Sequence, residues 1–180
     1  MFRPMMNARR FAEIDLAVCQ QVNRACAWRA VRRFFRAISQ LGDGKFWYVL
    51  MLVLPALHGR DGLVVSLRMA LAGVAGVAIY KLVKHVTHRQ RPYVNDATIM
   101  LGAAPLDQYS FPSGHTLHAV SFTLIVCAAF PVWAWLLVPF AALVAASRVI
   151  LGLHYPTDVL LGATIGALVA TGVASIPLPT

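Results

Sequence analysis

His115 and His154 are the residues of this chain best equipped for chemistry. His154 stands four residues before Asp158 in "SRVILGLHYPTD". A carboxylate bonded to one ring nitrogen fixes the tautomer and aims the imidazole, which leaves the second nitrogen free to attack. The same carboxylate steadies positive charge that grows on the ring. His115 lies in "FPSGHT", Phe111 to Thr116, where an imidazole can protonate a departing oxygen and later activate water. Three fixed cations accompany them: Lys84, Arg91 and Arg148. Guanidinium forks match phosphate oxygens with paired hydrogen bonds, and converging cations repel one another unless an anion joins them. "FPSGHT" also reads as the opening of a helix, whose free N–H groups form an anion seat. Gly114 there lets backbone approach closely, and Ser113 can cap the helix or donate to an oxygen. The set points to phosphoryl transfer in which cations do the work that metals do elsewhere. Carboxylates are too few to gather magnesium, since besides Asp158 the polar stretch offers only Asp96 and Asp107. No metal and no cofactor are expected.

These residues are far apart in the chain, so its elements must carry them together. The 180 residues are 59% hydrophobic and 13% charged, with a mean hydropathy of +0.67. Soluble domains carry about 45–50% apolar and about 25% charged residues. The excess points to a membrane protein built of helices, because bilayer rules leave no backbone group unpaired. Five apolar segments are expected to span: about Phe46–Leu57, Leu63–Val83, His115–Phe130, Val132–Val149, and Pro156 to about Ile176. Pro131 forces a tight break, Pro156 suits a first helical turn, and Trp133 and Trp135 are placed as interfacial anchors. The second segment ends at Lys84, the third begins at His115, the fourth ends at Arg148, and the fifth begins just before Asp158. Alternating directions put all four ends on one side of the membrane. Lys84, Arg91, Ser113, His115, Arg148, His154 and Asp158 then share one water-facing mouth and need not face lipid. Gly162 and Gly166 form G-x-x-x-G, which allows close helix approach and reads as ordinary packing before a dimer face.

The remaining residues form a basic arm. Nine of the sixteen Lys and Arg residues lie at or before Lys45, which suggests contact with anionic headgroups. Residues 9–27 have the pattern of an amphipathic helix too polar to span. From Trp28 to Ile38, apolar residues recur at helical spacing with arginines between them. That helix either lies in the interface or packs on the protein's own flank. "LGDG", Leu41 to Gly44, is a turn. The fold expected is therefore all-α: a multi-pass membrane bundle of about five transmembrane helices with an N-terminal amphipathic interfacial helix. Residues 1–44 would form the arm and residues 45–180 the transmembrane domain. The net charge of +9 raises nucleic acid as a partner, but no binding motif for it appears and the chain is too apolar. Three cysteines without C-x-x-C suggest neither a disulfide framework nor zinc. No cleavable signal peptide is seen.

Three stretches carry a family resemblance: "KHVTHRQRP" from Lys84 to Pro92, "PSGH" from Pro112 to His115, and "SRVILGLHYPTD" from Ser147 to Asp158. Their fixed positions and order resemble the three motifs of the type 2 phosphatidic acid phosphatase family, whose members are metal-independent phosphatases and vanadium haloperoxidases with a shared helical core. The resemblance covers about residue 40 to the C-terminus. It implies His154 as nucleophile forming a phosphohistidine, His115 as general acid, and Asp158 as the group that orients His154. Lys84, Arg91, Ser113, Gly114 and Arg148 would hold the phosphate.

The function expected is an integral-membrane lipid phosphatase cleaving a phosphomonoester or diphosphate from a lipid whose tail enters from the bilayer. Undecaprenyl diphosphate is the first choice of substrate, then phosphatidylglycerophosphate or phosphatidic acid, as the resemblance suggests. Tyr93, Tyr109 and Phe111 could wall the lipid chain or serve local packing. The alternatives are a vanadium-dependent haloperoxidase-like enzyme and a lipid-binding or lipid-translocating protein without catalysis. The expected location is the cell (inner) membrane. Basic residues of the arm place the mouth in the cytoplasm by the positive-inside tendency, whereas the resemblance places it outside.

Overall fold

The apolar periodicity of the sequence resolves into helices in the computed structural model, which describes residues 3–177, with side chains from residue 10. Residues 1–2 and 178–180 of the two expected regions lie outside the described residues. In chain order the helices are α1 (Arg3–Asn23), α2 (Arg29–Gln40), α3 (Phe46–Thr87), α4 (Pro92–Asn95), α5 (Gly114–Ala129), α6 (Ala134–Ile150) and α7 (Pro156–Ala174). Among the described residues there is no strand, only an isolated bridge between Gln90 and Tyr109.

Helix α3 joins the first two apolar segments. At Gly59 the backbone takes φ 56° and ψ −129°, a conformation that glycine adopts without a Cβ clash. The arms 46–58 and 60–87 fold back on one another there, so that Ser66 Oγ donates to the Met51 carbonyl at 2.8 Å. Three helical runs are long and apolar enough to cross a membrane: Arg29–Thr87, Pro131–Ile150 and Pro156–Ala174, with Gly114–Ala129 a shorter apolar helix. Leu52, Val74, Val138, Leu160 and Leu168 are exposed on the outside, as suits a bundle whose solvent is lipid. Inside, Trp47, Leu54, Met69, Val126, Leu137 and Val144 form the buried core. The chain is an all-helical membrane bundle.

Helix α5 runs through the centre, against α3, α6 and α7. Its approach to α7 depends on two glycines. A Cβ on Gly162 would lie 2.6 Å from the Ser113 carbonyl oxygen, and one on Gly166 would press on the Leu117 carbonyl. The G-x-x-x-G pair therefore serves packing within the chain.

The two ends of the bundle differ. At one end the α3 turn meets the α5–α6 connection: His58 stacks on Phe130 with ring centroids 3.9 Å apart and accepts from Trp133 Nε1 at 3.4 Å. Trp135, nearby in the chain, is 89% exposed. The opposite end gathers the C-termini of α3 and α6, the N-termini of α5 and α7, and the polar stretch. Helices α1 and α2 pack on that second end. Asn23 Nδ2 donates to the carbonyls of Met100 and Ile150 at 3.0 and 2.8 Å, and its Oδ1 accepts the Met100 N–H at 2.8 Å. Arg36 Nε donates to the Gly102 carbonyl at 2.9 Å, and Gln20 bonds Asp96 at 2.7 Å. Helix α2 thus packs on the protein's own flank, while Trp28 and Phe34 stay exposed.

Candidate active site

Four helix ends and two connections supply the site, one of the latter carrying Arg91 just before α4. Lys84 is in the last turn of α3, His115 in the first turn of α5, Arg148 in the last turn of α6 and Asp158 in the first turn of α7. His154 lies on the α6–α7 connection. There the N–H groups of Leu153 and His154 both donate to the Arg148 carbonyl at 3.0 Å, and Gly152 supplies the turn with φ 70°. A cavity of about 860 Å³ is lined by Lys84, Arg91, Gly114, His115, Arg148 and His154. Both imidazoles and all three cations of the sequence analysis therefore face one hollow.

His154 is buried. Its Nε2 is 3.3 Å from Arg91 Nη1, and its Nδ1 is 3.6 Å from Asp158 Oδ2. Asp158, fully buried, is fixed by others: Oδ2 accepts the Tyr155 N–H at 2.8 Å and Oδ1 accepts Arg89 Nη1 at 2.7 Å. The carboxylate closes the first turn of α7 as well as facing the histidine. Burial, and after it the charges of Arg148, Arg91 and Lys84, hold the His154 ring well below the ordinary imidazole pKa. The ring is then neutral near pH 7, the form that can attack.

The cations are held by different means. Lys84 Nζ bonds Asp107 Oδ2 at 2.6 Å, and Arg91 Nη2 bonds Asp107 Oδ1 at 2.7 Å. Arg91 Nη1 donates to the Leu153 carbonyl at 2.7 Å. Arg148, buried, donates through Nη1 to Ser39 Oγ, and its Nε has no partner among the described residues. Buried donors without partners are rare in native proteins, and this one belongs to a residue that lines the cavity.

Not every expected group reaches the cavity. Ser113 is buried at the α5 cap, where its hydroxyl shares a 3.0 Å hydrogen bond with Thr116 Oγ1 and its N–H donates to the Asp158 carbonyl at 3.0 Å. It ties α5 to α7 and is not a lining residue, whereas its neighbour Gly114 is. Tyr109 lines the mouth; Tyr93 packs with Ile99, Val149 and Tyr155, and Phe111 lies beside Arg89. Trp47, Met51, Val77 and Phe122 make part of the lining apolar. His118 lines the same cavity, 3.3 Å from the Gly73 carbonyl.

Four carboxylate and guanidinium partners escaped the sequence analysis. Asp43, in the "LGDG" turn, places Oδ1 3.5 Å from His115 Nε2. Asp107 joins Lys84 to Arg91. Arg89, between the two motif cations, bridges Asp158 to Asp15 of α1, with Nη2 2.6 Å from Asp15 Oδ2. Only Arg89 had a local signal, its place between Lys84 and Arg91. The others are distant in sequence from the groups they touch.

A family model described as the PAP2 superfamily matches residues 62–178. An undecaprenyl-diphosphatase of Sulfolobus acidocaldarius is 32% identical over 109 residues, 59% of this chain and 52% of that protein. The chain thus spans about half the length of that relative. A decaprenylphosphoryl-5-phosphoribose phosphatase of Mycolicibacterium smegmatis is 36% identical over 152 residues, 81% of this chain and 79% of that protein. Among solved structures, LpxE of Aquifex aeolicus superposes with a TM-score of 0.73 at 24% identity, covering 89% of this chain and 94% of that one, a likeness of fold.

Proposed function

The chain belongs to the PAP2 superfamily, and we propose on that premise that it is an integral-membrane, metal-independent lipid phosphatase working through a phosphohistidine. The observation that carries this reading is the single cavity lined by two imidazoles and three cations. Lys84, Arg91 and Arg148 hold the non-bridging oxygens, helped by backbone N–H groups at the start of α5, where Gly114 leaves room. His154 Nε2 attacks phosphorus while Asp158 steadies the charge on the ring. The bond from the terminal phosphorus to its leaving oxygen breaks, an oxygen that stays with the lipid alcohol or with the lipid monophosphate, and His115 gives that oxygen its proton. Asp43 keeps the His115 ring in place. In the second half His115 takes a proton from water, the resulting hydroxide attacks phosphorus, and the P–N bond breaks to release phosphate and restore His154. In this scheme the three cations carry the charge stabilisation.

The substrate is a lipid with a terminal phosphate or diphosphate. Its head sits among the cations and its tail follows the apolar wall from Met51 to Val77 into the bilayer. Undecaprenyl diphosphate is the first choice, supported by the name of the Sulfolobus relative; phosphatidylglycerophosphate and phosphatidic acid follow. We place the mouth on the outer face of the cell membrane. Right-side-out vesicles given short-chain prenyl diphosphates and a chelator should release phosphate, and His154→Ala vesicles should not. Loss of release in the chelator would contradict the metal-free mechanism. Release only after permeabilisation would reverse the placement.

A further inference from the structure

Asp107 stands on the cations that the proposed reaction needs. Its carboxylate oxygens divide between Lys84 and Arg91, at 2.6 and 2.7 Å. The Asp107 side chain is 39% exposed, whereas those of Lys84 and Arg91 are 9% and 1% exposed. The carboxylate therefore reaches buried cations from the mouth. Arg91 has little else to give: Nη1 bonds the Leu153 carbonyl beside His154, and Nε bonds the Asp107 carbonyl at 3.0 Å. The edge of the guanidinium left for a phosphate oxygen is Nη2, which Asp107 holds. Burial pushes the Asp107 carboxyl up, but its bonds and charges with Lys84 and Arg91 outweigh this and hold it below the ordinary carboxylate value. It is thus an anion at neutral pH.

This inference rests on the phosphatase reading above. We propose that Asp107 is a specificity-determining internal anion, whose carboxylate keeps Lys84 and Arg91 until a phosphate with two negative charges displaces it. A phosphodiester, with one charge, offers these cations no more than the carboxylate already does. A terminal phosphate brings a second charge and oxygens enough to reach Arg148 as well. The backbone carbonyl of Asp107 anchors the loop through Arg91 Nε, so the carboxylate leaves by rotation about Cα–Cβ while the loop stays. The selectivity has a purpose in a membrane. Ordinary phospholipids are phosphodiesters, present in great excess at the depth of the mouth, and a bare cation cluster would fill with their headgroups. Discrimination of this kind comes from an element that penalises the wrong ligand.

The test is calorimetric titration of the purified full-length protein at pH 8 with two probes, inorganic phosphate and diethyl phosphate, a singly charged diester. Wild type should bind phosphate and show no measurable heat with the diester. Asp107→Asn should bind phosphate about tenfold tighter or more and should now bind the diester, which should inhibit lipid hydrolysis. Asp107→Ala, which has no polar end, should shift the same way, with melting temperatures confirming that both variants fold. Unchanged or weaker phosphate binding in the two variants would overturn the proposal and leave Asp107 as a brace for the cations. Absence of phosphate binding and of hydrolysis in wild type would instead overturn the phosphatase reading itself.

Discussion

At the scale of single residues, burial and neighbouring cations keep the deepest imidazole neutral. His154 is deep, beside Arg91 and near Arg148 and Lys84, and its pKa is depressed by burial first and by these charges second. The sign is definite. Protonation removes the lone pair, and because the folded pKa lies below the ordinary value of about 6.5, His154 stays neutral until the pH falls further. The same shift means that the unfolded chain takes up this proton before the folded one does, so stability present above pH about 6.5 is lost as pH falls through the folded value. Nitrogen-15 resonances of His154 in the ligand-free protein should titrate with a midpoint below 6.5; a midpoint at or above that value would contradict the account. The nearness of Asp158 to His154 was legible because the two are four residues apart, although His154 Nδ1 makes no hydrogen bond among the described residues. The partners that hold the remaining groups were not. Asp107 lies 23 residues from Lys84, and no local pattern marks it as more than a loop acid.

At the scale of elements, hydrophobic periodicity gave the apolar segments, and breaker residues gave their ends. Pro131 separates α5 from α6, Pro156 opens α7, and Gly59 turns α3 between the expected segments ending at Leu57 and beginning at Leu63. The place of α1 was beyond such reading, because a polar helix docks through partners that only the fold brings near. Asp15 shows this. It is buried, accepts the Thr157 N–H at 3.0 Å and the Thr157 hydroxyl, and pairs with Arg89 across 74 residues. Thr157 is in the first turn of α7, where N–H groups lack partners within the helix. Helix α1 thereby supports the turn that carries Asp158. Asp15→Ala takes their shared partner from the Thr157 N–H, the Thr157 hydroxyl and one side of Arg89. It should lower unfolding stability by about 1–2 kcal/mol and reduce hydrolysis with it. Denaturant unfolding in micelles that finds no change would show α1 to be an independent arm.

At the scale of the whole molecule, function depends on alternation. Helix pairs that run up and down the bilayer bring one set of ends together, and the structure puts Lys84, His115, Arg148 and Asp158 in that set while His58, Phe130 and Trp133 form the other. A short chain with no strand among its described residues thus gathers two imidazoles and three cations dispersed along its length into one cavity. Its close packing at Gly162 and Gly166 keeps α5 and α7 in register, so that the Ser113 N–H reaches the Asp158 carbonyl. The account requires the two imidazoles to act in sequence on one phosphorus. In the proposed scheme His115→Ala removes the proton donor of the first half as well as the base of the second, but a lipid-phosphate leaving group needs the donor less than water needs the base. Given a labelled lipid diphosphate and quenched in alkali, that variant should accumulate phosphate on His154, stable to base and labile to acid. Label on another residue, or turnover in wild type with no label on His154 under any quench, would contradict it.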